Sequence, residues 1–260
     1  MKRRNTFELE DQPWFPASFR ASMMESLQTS LNLWGVYKPV VPLIKRLTMH
    51  MGTEQIVDLC SGGAGPWPQL IEAGWPQQVT LTDKYPNPEV LKHVQAQSNG
   101  RIRYLAEPVD ATQVSPALPG VRTLFTAFHH FPPHLARAIL QDAATQRRAI
   151  GVFEIVERKF LQIAGAALFT PAAMMMLPLS AKTMTVEKWF WTYVIPAIPV
   201  AGTWDAVASN VRAYSVADLH ELTTSVYSNA YTWEVGQLTF PAAKIPVTYL
   251  LGYPTEGQGI

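Results

Sequence analysis

Residues 56–65, Ile-Val-Asp-Leu-Cys-Ser-Gly-Gly-Ala-Gly, constrain the fold more than any other stretch. Two β-branched residues lead into Asp58, and a run of small residues follows with Gly62, Gly63 and Gly65. After Pro66 the pattern becomes amphipathic: Trp67, Leu70 and Ile71 are apolar, with Gln69 and Glu72 between them. This reads as a buried strand, a tight turn and a helix. Glycines in such a turn reach positive φ and let backbone approach a ligand closely. The helix start beyond it offers unpaired N–H groups to an anion.

A second acid completes the half-site. Val79 to Thr82 alternates like a strand and ends at Asp83. An acid there, about 20 residues past the glycine turn, is placed to accept both hydroxyls of a ribose. The turn lacks the G-x-G-x-x-G dinucleotide pattern, and no lysine follows it as a P-loop requires. Together with Asp83, Asp110 and Phe128-His129-His130-Phe131, it resembles the motifs of class I S-adenosylmethionine-dependent methyltransferases of the small-molecule type. Cys60 stands where the usual first motif has its first glycine, and the later glycines are shifted. The likeness covers roughly residues 50–155.

The resemblance implies an α/β fold: a Rossmann-like, seven-stranded, mostly parallel sheet with an N-terminal helical lid and a helical insertion after strand five. It implies S-adenosyl-L-methionine as cofactor, held by Asp58, Cys60, Ser61, Gly62, Gly63, Asp83 and Lys84, and by Asp110, Ala111 and Phe128. In that family the acid of the Val-Asp-Ala segment and the next backbone N–H bracket the adenine. His129 and His130 match a motif at the exit of the fourth strand, where residues face the crevice. As neighbours in an extended exit they should point apart. One would serve as base; the other reading is a hydrogen-bonded turn histidine.

Glu154 ends the apolar fifth strand, Ala149 to Glu157, where a lone carboxylate is costly unless paired. It is therefore expected to touch substrate, to meet a lid group such as Arg20, or to form a structural ion pair. Cys60 reads either as a nucleophile or as a small packing residue of the turn.

The chain of 260 residues is 48% apolar with a net charge of +1, enough for one large α/β domain with an insertion or lid. The near-neutral charge argues against nucleic acid as a partner. The lone Cys60 excludes an intramolecular disulfide, fits the cytoplasm, and no zinc-ligand spacing occurs, so no metal is expected. Met1-Lys-Arg-Arg4 resembles a signal-peptide start, but Glu8, Glu10 and Asp11 stand where its apolar core should be.

The flanks carry the lid expectations. Residues 18–34 and 40–49 read as helices in an aromatic-rich segment, 1–48. Trp14, Phe19 or Tyr37 could lie over a sulfonium, a cation–π contact of about 0.5–2 kcal/mol. The core is expected over 49–158, an apolar helical insertion over 159–206 and the completion of the sheet over 207–260. A helix is also expected over 88–97. Trp204 and Asp205 end the insertion and join Trp14, Phe19, Arg20 and Tyr37 as substrate or lid candidates.

Residues 160–179 carry no charge over a length that could cross a bilayer, but Pro171 and Pro178 interrupt them. Buried insertion, membrane-surface lid and wall of an apolar pocket are the stronger readings, with membrane contact less favoured. Ser215 with Asp218 reads as a capping box. The leading expectation is methyl transfer to a small or hydrophobic molecule. The rivals are cleavage of another sulfonium bond, releasing methylthioadenosine, and a non-catalytic ligand-binding or membrane-associated protein.

Overall fold

Short β-branched and apolar segments of the sequence become seven strands. They are β1 Gln55–Asp58, β2 Gln78–Leu81, β3 Ile102–Tyr104, β4 Val121–Phe125, β5 Ile150–Glu154, β6 Tyr231–Phe240 and β7 Ile245–Pro254. The computed structural model describes residues 2–72, 74–75, 78–86, 92, 94–96, 98–176, 184–228, 230–240 and 245–255. Most of the helix expected over 88–97 lies outside these residues. The helices described below are α1 Ala17–Trp34, α2 Val41–His50, α3 Trp67–Glu72, α4 Pro133–Thr145, α5 Phe160–Met176, α6 Val186–Trp189, α7 Ala197–Arg212 and α8 Val216–Thr224.

The strand order is β3-β2-β1-β4-β5-β7-β6. β1 to β5 pair in parallel, and β7 runs antiparallel to both β5 and β6. This is the expected seven-stranded, mostly parallel sheet. β4 and β5 are buried along their whole length, as parallel strands covered on both faces are. β5 stops at Glu154, short of the expected Glu157, because its partner β7 pairs no further than Thr248 opposite Glu154. Strand order reverses between β1 and β4, so a crevice is expected outside their carboxyl ends. Gly120, just before β4, has φ +128° and would place a Cβ 2.6 Å from the Gln55 carbonyl oxygen. Only glycine lets the chain enter the sheet so close to β1.

The backbone divides into two compact units: Met1–Trp34 with Val156–Tyr214, and Gly35–Ile155 with Ser215–Ile260. The expected helical segment 1–48 is thereby shared. α1 lies in the first unit, whereas α2 lies in the second and packs on β5. There Leu47 would stand 3.3 Å from a Cβ on Gly151, so the absent side chain admits the helix.

The first unit is helical among its described residues. Its core gathers Phe15, Met23, Met174, Ile198 and Ala201, with Phe19 and Trp191 packed against it. Gly202 of α7 lets Met174 of α5 approach to a distance that any Cβ would block. No helix among the described residues is long and apolar enough to cross a membrane.

In the second unit Ser215 and Asp218 form the expected reciprocal cap of α8. The Asp218 N–H donates to Ser215 Oγ at 3.2 Å, and the Ser215 N–H donates to Asp218 Oδ2 at 2.7 Å. Replacing an N-cap serine by alanine costs about 0.5–2 kcal/mol. Ser215→Ala should therefore lower the urea midpoint by a stability loss of about 1 kcal/mol, with an unchanged urea dependence.

Candidate functional site

The crevice end of the sheet collects acids from successive strands of the second unit. Asp58 closes β1, Asp83 follows β2, Asp110 follows β3 and Glu154 closes β5. Each is placed by its strand, and the glycine turn sits among them.

Asp58 is buried, 1% exposed. Thr123 Oγ1 of β4 donates to its Oδ1 at 2.6 Å, and Ser61 Oγ of the turn lies 2.8 Å from its Oδ2. Its carbonyl accepts the Thr82 hydroxyl at 2.8 Å and the Thr82 N–H at 2.9 Å. One residue thus ties β1, β4, the turn and the end of β2 together. Burial pushes the Asp58 carboxyl up to about 7, against the lowering effect of hydrogen bonds such as that from Thr123; the nearby Asp83 charge raises it further.

The turn itself passes repeatedly through left-handed backbone: Cys60 φ 56°, Gly62 48°, Ala64 78° and Gly65 52°. Such turns aim backbone N–H groups inward. The Gly62 N–H donates to Asp83 Oδ2 at 2.9 Å, and the Tyr85 N–H to Asp83 Oδ1 at 2.9 Å. Gly63 adjoins Gly62 in the same turn and is half-buried. The Cys60 thiol is half-buried, and burial followed by the nearby Asp83 charge pushes its pKa up. A thiol so shifted is a poor nucleophile at neutral pH, which favours the packing reading.

Lys84 Nζ meets Asp110 Oδ2 at 2.7 Å, and Asp110 Oδ1 accepts from the Thr112 N–H and hydroxyl. Lys84 and these Thr112 bonds hold the Asp110 carboxyl down at about 2. Ala111, next to it, is buried.

β4 leaves the sheet through Thr126, whose φ of 46° is unusual for a β-branched residue. Its hydroxyl hydrogen-bonds the buried Tyr37 hydroxyl. Tyr37, expected over a ligand, is thus engaged with the exit of β4 and stands edge-on to Phe125. Burial pushes its phenol up, so it stays neutral.

A 3-10 turn follows, Phe128–His130. There Glu154 Oε1 accepts the Phe128 N–H at 2.6 Å, and Glu154 Oε2 lies 2.7 Å from His129 Nδ1. Both side chains are nearly fully buried. The two histidine rings do not point apart as expected: their centroids are 4.4 Å from each other. Alternation belongs to extended strands, and the 3-10 turn removes it.

The remaining candidates lie in the first unit, where they organise the N-terminal segment. Arg20 donates to the carbonyls of Glu10, Gln12 and Phe15. Asp205 accepts the N–H groups of Leu9 and Glu10 at 2.6 and 3.0 Å, and burial raises its carboxyl to about 6. The Trp204 indole N–H donates to the Phe7 carbonyl, with the two rings in contact. Phe19 packs on Trp191, and Trp14 is exposed. Sequence reading missed Thr123, Thr126 and Thr82. Nothing distinguishes these threonines from ordinary strand residues until the strands are placed side by side.

The Asp58 shift has a sign that can be measured. Its folded pKa of about 7 lies above the ordinary 3.8, so the folded state binds the extra proton between those values. Stability from this group is fully present below about pH 4 and is lost as pH rises toward 7. The stability difference between wild type and Asp58→Asn, from urea unfolding, should shift against wild type across pH 4–7 and level off above that.

No protein-family model matches the sequence, and no curated protein does. Solved structures do resemble the fold. The plantazolicin methyltransferase BpumL, solved with S-adenosylhomocysteine, aligns with a TM-score of 0.61 at 9% identity, over 95% of this chain and 94% of that one. The O-methyltransferase NcsB1 from neocarzinostatin biosynthesis, solved with S-adenosylmethionine and 2-hydroxy-5-methyl naphthoic acid, aligns at 0.55 and 15% identity, over 92% of this chain and 58% of that one. An O-methyltransferase family protein from Burkholderia thailandensis aligns at 0.50 and 14% identity, over 93% and 62%. The chain spans about three fifths of the length of these last two. By strand order and by these likenesses, it has the fold of the class I S-adenosylmethionine-dependent methyltransferases.

Proposed function

We propose that the chain is an enzyme that binds S-adenosyl-L-methionine in the second unit and methylates a small or hydrophobic molecule. The observation that carries this reading is the buried His129–Glu154 pair at the exits of β4 and β5, on the same sheet edge as the glycine turn and Asp83. The donor set fits the cofactor. A left-handed turn that aims N–H groups inward and a series of carboxylates suit a ligand carrying hydroxyls, an ammonium and a carboxylate.

When bound, S-adenosylmethionine supplies a sulfonium whose methyl group a nucleophile can take. Asp83 would hold the ribose hydroxyls, because it stands where the second strand ends. The segment from Asp110 to Ala111, with Phe128, would frame the adenine, and Lys84 would fix Asp110. The Gly63 N–H and the carbonyls of the Gly62–Gly63 backbone would receive the amino acid end, the Gly62 N–H being given to Asp83. Asp58 and Ser61 would act by holding the turn rather than by reaching the ligand, since their oxygens are engaged with each other and with Thr123 and Thr82.

His129 would be the base that takes a proton from the acceptor's nucleophilic group. A proton on Nδ1, directed at Glu154, leaves the lone pair on Nε2. Glu154 would position the ring and stabilise its charged form once the proton is taken. His130, packed against it, would help hold the ring. The similar structures are methyltransferases, two of them O-methyltransferases, which supports an oxygen as the acceptor atom.

Incubating the protein with S-adenosylmethionine and a panel of hydroxylated apolar compounds tests the reading. Acceptor-dependent S-adenosylhomocysteine is expected. Methylthioadenosine would instead indicate attack on another sulfonium carbon, and no product with no cofactor binding would indicate a non-catalytic protein. His129→Ala should lower kcat by about 10²–10⁴-fold while cofactor affinity changes less than threefold. Asp83→Ala should remove charge-assisted bonds of about 1.5–3 kcal/mol each and weaken cofactor binding at least tenfold by calorimetry.

A further inference from the structure

The helical first unit holds a cavity of about 270 Å³ between α1 and the chain from Thr185 to Ile198. All of the described residues that line it belong to that unit. Phe19 of α1, Trp191 and Ile198 supply apolar wall, with the Phe19 and Trp191 rings 5.5 Å apart and inclined at 60°. The small side chains of Ala21 and Ser22 leave the space open. Three charged residues complete the lining: Glu25, Glu187 and Lys188.

Trp191 reaches this cavity from an uncommon element. Residues Phe190–Val194 form a π-helix that continues α6. Such turns are rare and occur frequently at functional sites. Thr192, next to Trp191, is buried, and its hydroxyl has no partner among the described residues. A buried hydroxyl without a partner is destabilising, so packing alone does not favour this turn.

Lys188 is only 7% exposed, a position that lysine holds when its charge is answered. Its Nζ donates to Glu25 Oε2 at 2.5 Å. An ammonium carries three N–H groups, and the other two have no partner among the described residues. Glu187 Oε1 accepts the Ser18 hydroxyl at 2.9 Å. The lining selects its ligand. Glu25 and Glu187 repel an anion. Lys188, the most buried and so the least screened of the three charges, repels a cation. A neutral hydroxyl suits both signs: its oxygen accepts from the ammonium while its O–H donates to a carboxylate. Rings pack edge-on or offset against aromatic walls. A cavity of about 150 Å³ takes up benzene, so one of about 270 Å³ has room for two fused rings.

We propose that this cavity is a binding site for a small neutral aromatic alcohol of one or two rings, its hydroxyl held by Lys188 and Glu25 and its ring by Trp191 and Phe19. Binding uses residues of the first unit alone, so it needs neither S-adenosylmethionine nor methyl transfer.

Calorimetric titration of the purified full chain with 2-naphthol at pH 7, without S-adenosylmethionine, tests this. One equivalent should bind. 2-Methoxynaphthalene, which cannot donate, and the charged 2-naphthoate and 2-naphthylmethylammonium should each bind at least tenfold more weakly. Ser22→Met puts an apolar chain into the cavity, and the hydroxyl it removes bonds only within α1, to the Ser18 carbonyl. Lys188→Met removes the donor. Each variant should bind 2-naphthol at least tenfold more weakly, Ser22→Met with an unchanged thermal melt. Hydrogen exchange of the wild type should show new protection at residues 18–25 and 186–191 when 2-naphthol is added. Absence of 2-naphthol binding overturns the proposal, and so does protection that arises only outside these segments. Equal binding of 2-methoxynaphthalene overturns it in favour of apolar partition, and tighter binding of either charged compound overturns the hydroxyl assignment. Full affinity in either folded variant also overturns it.

Discussion

The buried carboxylate of Asp58 is the constraint on which the rest of the site depends. It reaches across a strand boundary to Thr123 and into the turn to Ser61, while its carbonyl holds Thr82. These bonds fix the relative height of β1, β4 and the end of β2 at the place where strand order reverses. Taking a carboxyl out of water is costly without such partners, and the partners come from three separate stretches of chain. The desolvation that raises its pKa is the same burial that makes its bonds directional. A turn with four left-handed residues in six positions has little intrinsic preference for its shape. Asp58 from within and Asp83 from the neighbouring strand supply that preference.

A second buried acid performs the corresponding task one strand further on. Glu154 spends one oxygen on the Phe128 N–H and the other on His129. The 3-10 turn and the histidine are thereby fixed by one side chain, anchored at the end of a fully buried strand. Tyr37 adds a third support through Thr126, whose left-handed backbone begins the turn. Strain at one residue persists when its surroundings over-determine it. Here the hydroxyl of Tyr37 holds its side chain, while strand β4 before it and the Glu154 contact to Phe128 after it fix the chain on either side.

The sheet was legible in the sequence because parallel strands buried on both faces leave short, nearly continuous apolar runs between glycine and proline punctuation. Asp58, Asp83 and Asp110 were legible as strand-end acids. Their partners were not, since the pairing of Asp58 with Thr123 spans sixty-five positions of sequence. The disposition of His129 and His130 was misread because an exit from a strand was assumed to stay extended. The division at residues 34 and 35 was also hidden. Both segments read as helices, and only their packing separates them: α2 lies on β5, whereas α1 meets α5, α6 and α7. In the apolar insertion, composition indicated burial or membrane contact but not which half of α5 would be used for packing.

Amide hydrogen exchange with and without saturating S-adenosylmethionine tests the central claim most directly, because it needs no acceptor. Protection should appear in residues 59–65, 82–85 and 109–112, at the carboxyl ends of β1, β2 and β3. Residues 141–149 and 230–233, away from that edge, should be unchanged. Protection absent from the glycine turn, or concentrated in those distant segments, would contradict the assignment of the cofactor site to the switch point of the sheet.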